Sequence, residues 1–432
     1  MNHRTILKKE LEKVKLSDEE YASLNKTADI VIKALENKIK KKGIGAKVFI
    51  GGSLAKKTLI KKPKYDIDIF VRFNKKYSEE EIKKNMKKIF FLFSIPKYRK
   101  KVKKIHGSRD YYKIKLKSMP RVSFEIVPVV EIKKPEEARN ITDLSYFHVD
   151  YVGKESSKNK KLIDEIILAK SFCYAQESYG AESYIKGFSG YCLELLIIHY
   201  KSFMKFIKEI AKAEEKIIID SAKYYKNKNA ILKELNKSKL LSPIVVIDPT
   251  FKARNASGAL SHETFNKFKV SCRGFLEHPS EIFFDYKNSR PEELKEMAER
   301  LDGIYAVLEV KTKKQEGDIA GSKLLKFSKV LTRDIGKYFS IIDSYFDYNS
   351  GKTANIYYVL QNKKEIINEG PSLHYEKAVK GFKEKHPIWY IENGKIKSAH
   401  PSDISLKEFI KMFKRAHKKT LREMRITKVK II

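Results

Sequence analysis

Apolar positions recur through residues 17–42 at three- and four-residue intervals: Tyr21, Leu24, Ala28, Val31, Ile32, Leu35 and Ile39. That spacing lines one face of a helix, Ser17 with Glu20 gives it a capping box, and Gly43 closes it. The period then changes to two. Val48-Phe49-Ile50 is a short strand that breaks at Gly51-Gly52-Ser53, and a second strand follows as Asp66-Ile67-Asp68-Ile69-Phe70-Val71. Successive strand side chains alternate in facing, so Ile67, Ile69 and Val71 enter a core while Asp66 and Asp68 project together on the other side. Residues 79–94 return to a helical pattern, and 101–105 with 111–116 flank a His-Gly-Ser-Arg-Asp turn as a basic hairpin. In the next strand, 122–127, Glu125 faces away from Phe124 and Ile126, where its carboxylate joins Asp66 and Asp68 if the strands are neighbours.

Beyond residue 150 helical patterns dominate. We expect a helix over 156–177 carrying Lys170, an apolar helix over 193–210, and Lys-rich helix through 212–240. Residues 243–249 read as a buried strand ending in the turn Asp248-Pro249, with Arg254-Asn255 after it. A new unit starts near His278-Pro279. Its pattern is a strand at 304–312, a helix at 322–337 and a hairpin of 339–346 with 354–360, closed by Asn349-Ser350-Gly351-Lys352. A hairpin at 389–396 and a last helix capped by Ser405 and Glu408 follow. Its Leu406, Phe409, Ile410 and Phe413 face inward, and Lys407, Lys411, Lys414, Arg415, Lys418, Lys419 and Arg422 coat the rest.

The chain of 432 residues exceeds one ordinary core and fits two to four domains, and 42% apolar residues suffice to fold them. Lys and Arg number 91 against 54 acids, a formal charge of +37. A general bias toward lysine contributes to this, but a field of that size suits a polyanionic partner better than a small metabolite. The 24 Tyr and 24 Phe are interleaved with the lysines, which allows base stacking beside phosphate contacts, though most of the rings belong to cores. Cys173, Cys192 and Cys272 form no CxxC pair and read as reduced, buried thiols of a cytosolic protein. The first residues lack an apolar signal region and no stretch reaches transmembrane length, so a soluble, cytoplasmic protein is expected.

Two carboxylates on one strand face repel, and if the face is partly enclosed they need a cation; hard oxygen ligands at this spacing suit Mg²⁺. A Gly-Gly-Ser turn just upstream can offer backbone N–H groups and a hydroxyl to phosphate oxygens. Each feature alone has a plain alternative: an exposed strand often carries alternating acids, and Gly-Gly-Ser is an ordinary turn. Their order and separation together describe a metal-triphosphate site.

Gly52-Ser53 followed by Asp66-x-Asp68 resembles the signature of the polymerase-β-type nucleotidyltransferases. The wider strings GSLAKKT and YDIDIFV resemble the class I, archaeal-type CCA-adding tRNA nucleotidyltransferases, and the likeness extends over nearly the whole chain. It implies a multidomain α+β protein: a catalytic head over 1–150, a central helical or neck domain that reads the base over 151–277, and a C-terminal body over 278–432 with a tail module at about 304–362. Asp66, Asp68 and Glu125 would be the catalytic, metal-holding acids, although related proteins usually carry Asp where Glu125 stands. Ser53, Lys56, His148, Lys170 and Tyr179 would hold the triphosphate, with Lys56 where Arg is frequent. Ser189 would lie near the nucleotide, and Asp248 with Arg254 would help to read the base. From the residues alone, Lys170 is one exposed lysine among many, and Asp248 caps its turn with Arg254 paired to it.

The resemblance further implies two Mg²⁺ ions, the substrates CTP and ATP, and tRNA gripped by its acceptor stem and T arm. It leaves the oligomeric state open. The head signature also fits another template-independent polymerase, adding poly(A) or a single nucleotide, and a catalytically silent RNA-binding homologue retains the same basic surface.

Overall fold

The computed structural model describes residues 2–285, 290–401 and 404–432. The chain divides into two units, Met1–Tyr286 and Lys287–Ile432.

The first unit begins with α1 (His3–Val14), whose Ile6 enters a helical core formed mainly by later residues. Helix α2 (Asp18–Lys41) has the full Ser17–Glu20 capping box and buries Tyr21, Leu24, Ala28, Val31, Leu35 and Ile39. Strand β1 (Ala46–Ile50), the single-turn helix α3 (Gly52–Ala55), β2 (Tyr65–Phe73), α4 (Glu79–Phe90), β3 (Lys100–Ile105), β4 (Tyr111–Leu116) and β5 (Val122–Val130) complete the head. The sheet order is β1-β2-β5-β4-β3, with β2 and β5 parallel and the other pairs antiparallel. Its apolar face, including Ile67, Ile69, Phe124 and Ile126, packs with α2 and with Ile82, Met86 and Ile89 of α4. The opposite face is thereby left for the polar side chains of β2, β4 and β5.

A second core follows, built from α5 (Ser145–Lys158), α6 (Lys161–Ala175), α7 (Gly190–Tyr200), α8 (Phe203–Lys212) and α10 (His262–Glu277) around fully buried Phe172, Phe188, Phe203, Phe206, Phe268 and Phe275. Between α8 and α10 lie β6 (Ile217–Ile219), α9 (Lys228–Glu234), β7 (Ile244–Asp248) and β8 (Phe251–Asn255), a small sheet in the order β6-β7-β8.

Three helical expectations change here. The helix expected at 156–177 is two, separated at Asn159-Lys160, where the Asn159 side chain accepts from the Lys161 N–H. The apolar helix expected over 193–210 breaks at Lys201, which sits at φ 66°, and restarts under a Ser202 cap. Residues 212–240 are not mainly helix, because the β-branched run Ile217–Ile219 pairs in parallel with β7, a partner outside any local window.

The second unit holds α11 (Arg290–Arg300), β9 (Ile304–Thr312), α12 (Asp318–Tyr338), β10 (Phe339–Tyr348), β11 (Thr353–Asn362), β12 (Glu365–Ser372), α13 (Glu376–Lys385), β13 (Tyr390–Glu392), β14 (Lys395–Pro401), α14 (Leu406–Ala416), α15 (Lys418–Glu423) and β15 (Ile426–Ile431). Strand β15 was not foreseen. It adds to β9 as the fourth strand of the sheet β10-β11-β9-β15. Leu308, Leu324, Phe327, Leu331 and Tyr358 form its core with Phe409, Ile410 and Phe413 of α14. The expected single last helix breaks at His417, whose Nε2 meets Asp334 Oδ2 at 2.6 Å. The basic residues along α14 and α15 are exposed, as the pattern predicts. The remaining strands make a small sheet, β12-β14-β13.

Candidate active site

Strand pairing decides which carboxylates meet. In the parallel β2–β5 register Asp68 stands opposite Glu125 and Asp66 opposite Ser123, so both acids of β2 and that of β5 share the face turned away from the core. On the far side of β5, Lys113 of β4 is the cross-strand partner of Glu125. Its ammonium donates to Asp66 Oδ1 at 2.7 Å and to Glu125 Oε1 at 3.1 Å, and Ser123 Oγ donates to Asp66 Oδ1 at 2.5 Å. Lys113 carried no site role in the sequence reading; its signal was a lysine on the polar face of the basic hairpin.

The glycines upstream fit closely against this face. Gly52 has φ +57°, and a Cβ there would lie 1.8 Å from Asp68 Oδ2, while a Cβ on Gly51 would strike the Phe70 ring. The expected turn is thus a glycine-capped single helical turn, with Ser53 half-buried within it and Lys56 at its end.

The electrostatics differ from one acid to the next. Burial and the neighbouring Glu125 push the Asp68 carboxyl up to about 7, with Lys56 only partly opposing them. Burial also raises Glu125, against the pull of Lys113. Burial would raise Asp66 too, but Lys113 and Ser123 bring it below the usual carboxylate range. Among the described residues no three Asp, Glu, His or Cys side chains already converge as a closed ligand set. The donor chemistry nevertheless fits a hard cation: three carboxylates lie on one face, and a single ammonium bridges only two of them, Asp66 and Glu125.

The lysines expected at the triphosphate meet on a residue that the sequence reading passed over. Glu194, fully buried in α7, accepts from Lys56 Nζ at 2.5 Å through Oε2, and from Lys170 Nζ and Thr58 Oγ1, each at 2.8 Å, through Oε1. Lys170 is therefore not one exposed lysine among many: 2% of it is exposed, and it also donates to the Thr58 carbonyl. Burial opposes the Glu194 charge, yet Lys170 and Lys56 hold its carboxyl down to about 2. Burial lowers Lys170 to about 8 against the pull of Glu194, with the Lys56 charge adding to the depression. The available signal was a lone acid inside the apolar run Tyr191–Ile198. Tyr179 reaches the same place, since a Cβ on Gly190 would lie 2.9 Å from its hydroxyl and 3.8 Å from Lys170 Nζ. Ser189 caps α7, its hydroxyl accepting from the Cys192 N–H.

A third cluster surrounds Asp248 at the end of β7. Its Oδ2 accepts from Arg254 at 2.6 Å and from His148 Nε2 at 3.1 Å; its Oδ1 accepts from Tyr191 Oη at 2.9 Å and from the Thr250 N–H and hydroxyl at 2.8 and 2.7 Å. A carboxylate can only accept, so the His148 proton on this side sits on Nε2. Burial would raise Asp248, but His148 and Arg254 hold it far below the usual range, and burial lowers His148 despite that partner. Asp248 thus does cap its turn and pair with Arg254. Tyr191, also passed over, stacks on His148 with ring centroids 3.9 Å apart, and both Arg254 and Lys56 lie over its face. Lys56 touches two clusters in this way and acts electrostatically on Asp68 in the third.

Cys173, Cys192 and Cys272 are buried and unpaired, and among the described residues no helix is long and apolar enough to cross a membrane.

A polar sheet face carrying Asp-x-Asp behind a Gly-Ser turn, with a third acid on the adjacent parallel strand, defines a nucleotidyltransferase head of the polymerase-β type. Comparison with known proteins agrees. Residues 164–285 match the model for the second domain of tRNA nucleotidyltransferases, and residues 1–145 match that for the Second Messenger Oligonucleotide or Dinucleotide Synthetase domain. Among solved structures, the Cid1 poly(U) polymerase shares the fold, with a TM-score of 0.50 and 14% identity over 66% of this chain and 100% of that one. The CCA-adding enzyme of Nanoarchaeum equitans is 36% identical over 66% of this chain and 67% of its own. That of Methanocaldococcus jannaschii is 30% identical over 90% and 86%, and that of Sulfurisphaera tokodaii 29% over 94% and 91%. The chain belongs to the CCA-adding enzyme family and is a tRNA nucleotidyltransferase.

Proposed function

We propose that this enzyme completes the 3′ end of tRNA by adding C, C and A in that order, from CTP and then ATP. The observation that carries the site assignment is the β2–β5 register, which sets Asp68 against Glu125 with Asp66 on the same face. Asp66, Asp68 and Glu125 would hold two Mg²⁺ ions, which when bound supply positive charge to activate the primer hydroxyl and to stabilise the leaving pyrophosphate.

The protein's own part is positioning and charge. Ser53 and Tyr179 offer hydroxyl groups to the triphosphate, and Lys56 and Lys170 offer ammonium groups, set by Glu194, against its negative charge. Lys56 keeps the charge of an arginine without its paired donors. His148 would also contact the triphosphate and Ser189 would lie near the nucleotide, while Arg254, its fork oriented by Asp248, would present donors to a base edge. In this reading the head spans 1–150, the neck 151–277, and the C-terminal body 278–432 holds the tRNA acceptor stem and T arm. The exposed cations of α14 and α15 follow an A-form backbone by shape and charge.

Extension of tRNAs ending before CCA, after C and after CC, each offered one labelled nucleotide with Mg²⁺, tests this. CTP is used on the first two and ATP only on the third. Incorporation without that order moves the assignment to another template-independent polymerase, and binding without incorporation indicates a silent RNA-binding homologue. Affinity for tRNA falls steeply with salt in a log–log titration if the basic surface is the track, and a flat response removes it.

A further inference from the structure

We propose that the Lys113 ammonium is an internal counter-ion of the Asp66 and Glu125 carboxylates on the polar face of the sheet, which a divalent cation must displace in order to be held there. The inference rests on the reading of Asp66 and Glu125 as metal-holding residues. Lys113 is fixed opposite Glu125 by strand register, and its Nζ bridges the two strands through Asp66 Oδ1 and Glu125 Oε1. Three-quarters of its side chain is buried, with 26% exposed, so it is a built contact of the sheet rather than a surface lysine at rest.

The bridge takes up the oxygens that a cation would need. Asp66 Oδ1 accepts from Ser123 Oγ as well as from Lys113. An ammonium and a divalent ion sharing these oxygens would lie within a few ångströms of each other, where like charges repel strongly at the effective dielectric of a half-buried site. Metal binding is therefore an exchange of one cation for another, and the intrinsic affinity of the carboxylates is reduced by the work of moving Lys113 aside. The bridge also stabilises the metal-free sheet, since without Lys113 the Asp66 and Glu125 carboxylates repel with no ammonium between them.

The test is Mn²⁺ binding by calorimetry, without nucleotide, to wild type, Lys113→Met and Lys113→Arg. Lys113→Met should bind at least about tenfold tighter than wild type, and Lys113→Arg, which retains the charge, should stay within about twofold of it. In thermal melts Mn²⁺ should raise the melting temperature of Lys113→Met more than that of wild type. Equal affinity of Lys113→Met and wild type overturns the proposal, as does tightening by Lys113→Arg equal to that of Lys113→Met. Wild type that binds no Mn²⁺ even with a non-hydrolysable CTP analogue overturns the metal reading itself, and this proposal with it. If Lys113→Met does not fold, a structure of wild type with Mn²⁺ and that analogue decides: Lys113 should have left Asp66, and an ammonium still bridging Asp66 and Glu125 beside the metal refutes the exchange.

Discussion

Asp68 and Asp248 are both carboxylates carried by strands, the first within β2 and the second at the end of β7, and the protein treats them in opposite ways. Asp248 is enclosed by His148, Arg254, Tyr191 and Thr250, so its charge is met on both oxygens and its carboxyl lies far below the usual range. Asp68 stands beside Glu125 with no salt-bridged cation of its own among the described residues, and its carboxyl rises to about 7. The first arrangement is finished and can only orient its partners. The second is left incomplete in charge, which is what a site that receives a cation requires. Glu194 belongs with Asp248, since two lysines and a threonine complete it.

The sharpest way to break this contrast is Asp68→Ala. Nucleotide addition should fall by about 10³-fold or more, because charge stabilisation in the transition state goes with it. tRNA affinity, measured by filter binding, should stay within about twofold, because removing an acid weakens no phosphate contact. Joint loss of binding and activity would end the division of labour.

Next in size is Glu194→Ala, which strands two buried lysines. It should cost about 3–5 kcal/mol in urea denaturation, and Glu194→Gln less, because the amide keeps an acceptor. A cost near zero would mean that Lys56 and Lys170 find water or other partners, and would remove Glu194 from the class of completed acids.

The pH dependence of stability in EDTA separates the two aspartates by sign. Because the folded Asp68 value, about 7, lies above the ordinary 3.8, the native state binds more protons between those values, and metal-free stability declines as pH rises through that window. Asp68→Asn should remove the Asp68 part of the decline, leaving the part that the raised Glu125 carboxyl contributes, and gain up to about 4 kcal/mol at pH 8. Asp248 is depressed, so its contribution is present above pH 3.8 and is lost as pH falls toward its lower folded value. Asp248→Asn should therefore destabilise at neutral pH. Shifts of the same sign in both variants would erase the distinction.

The smallest effect expected is that of Ser189→Ala. Loss of the α7 cap should cost about 1 kcal/mol, and KM for CTP and ATP should rise a few-fold if the hydroxyl also donates to the nucleotide. A stability loss with KM unchanged would leave Ser189 a cap alone.

Much of the head was legible because its signals are local. Period-two alternation put Asp66 and Asp68 on one face, and period-three-to-four spacing with a capping box set α2, which begins one residue after Ser17 as expected. The same local reasoning failed where a distant partner outweighed it. Ile217–Ile219 became strand through pairing with β7, and β15 joined β9 across more than a hundred residues. Lys170 could not be told from a surface lysine, because its burial depends on an acid on another helix. Lys113 could not be linked to the carboxylates until β4 was seen to flank β5.

Alternation, caps and charge are properties of neighbouring residues, so the chain itself determined the strands of the head with α2 and α4, the shared facing of Asp66 and Asp68, and the basic coat of α14 and α15. Which charges meet is a matter of strand order and helix packing. Those brought Lys113 to Asp66 and Glu125, Lys56 and Lys170 to Glu194, and His148 and Arg254 to Asp248. Coulomb energy depends on separation in space and on burial rather than on distance along the chain, and so only the tertiary structure decided which acid was completed and which was left open to a cation.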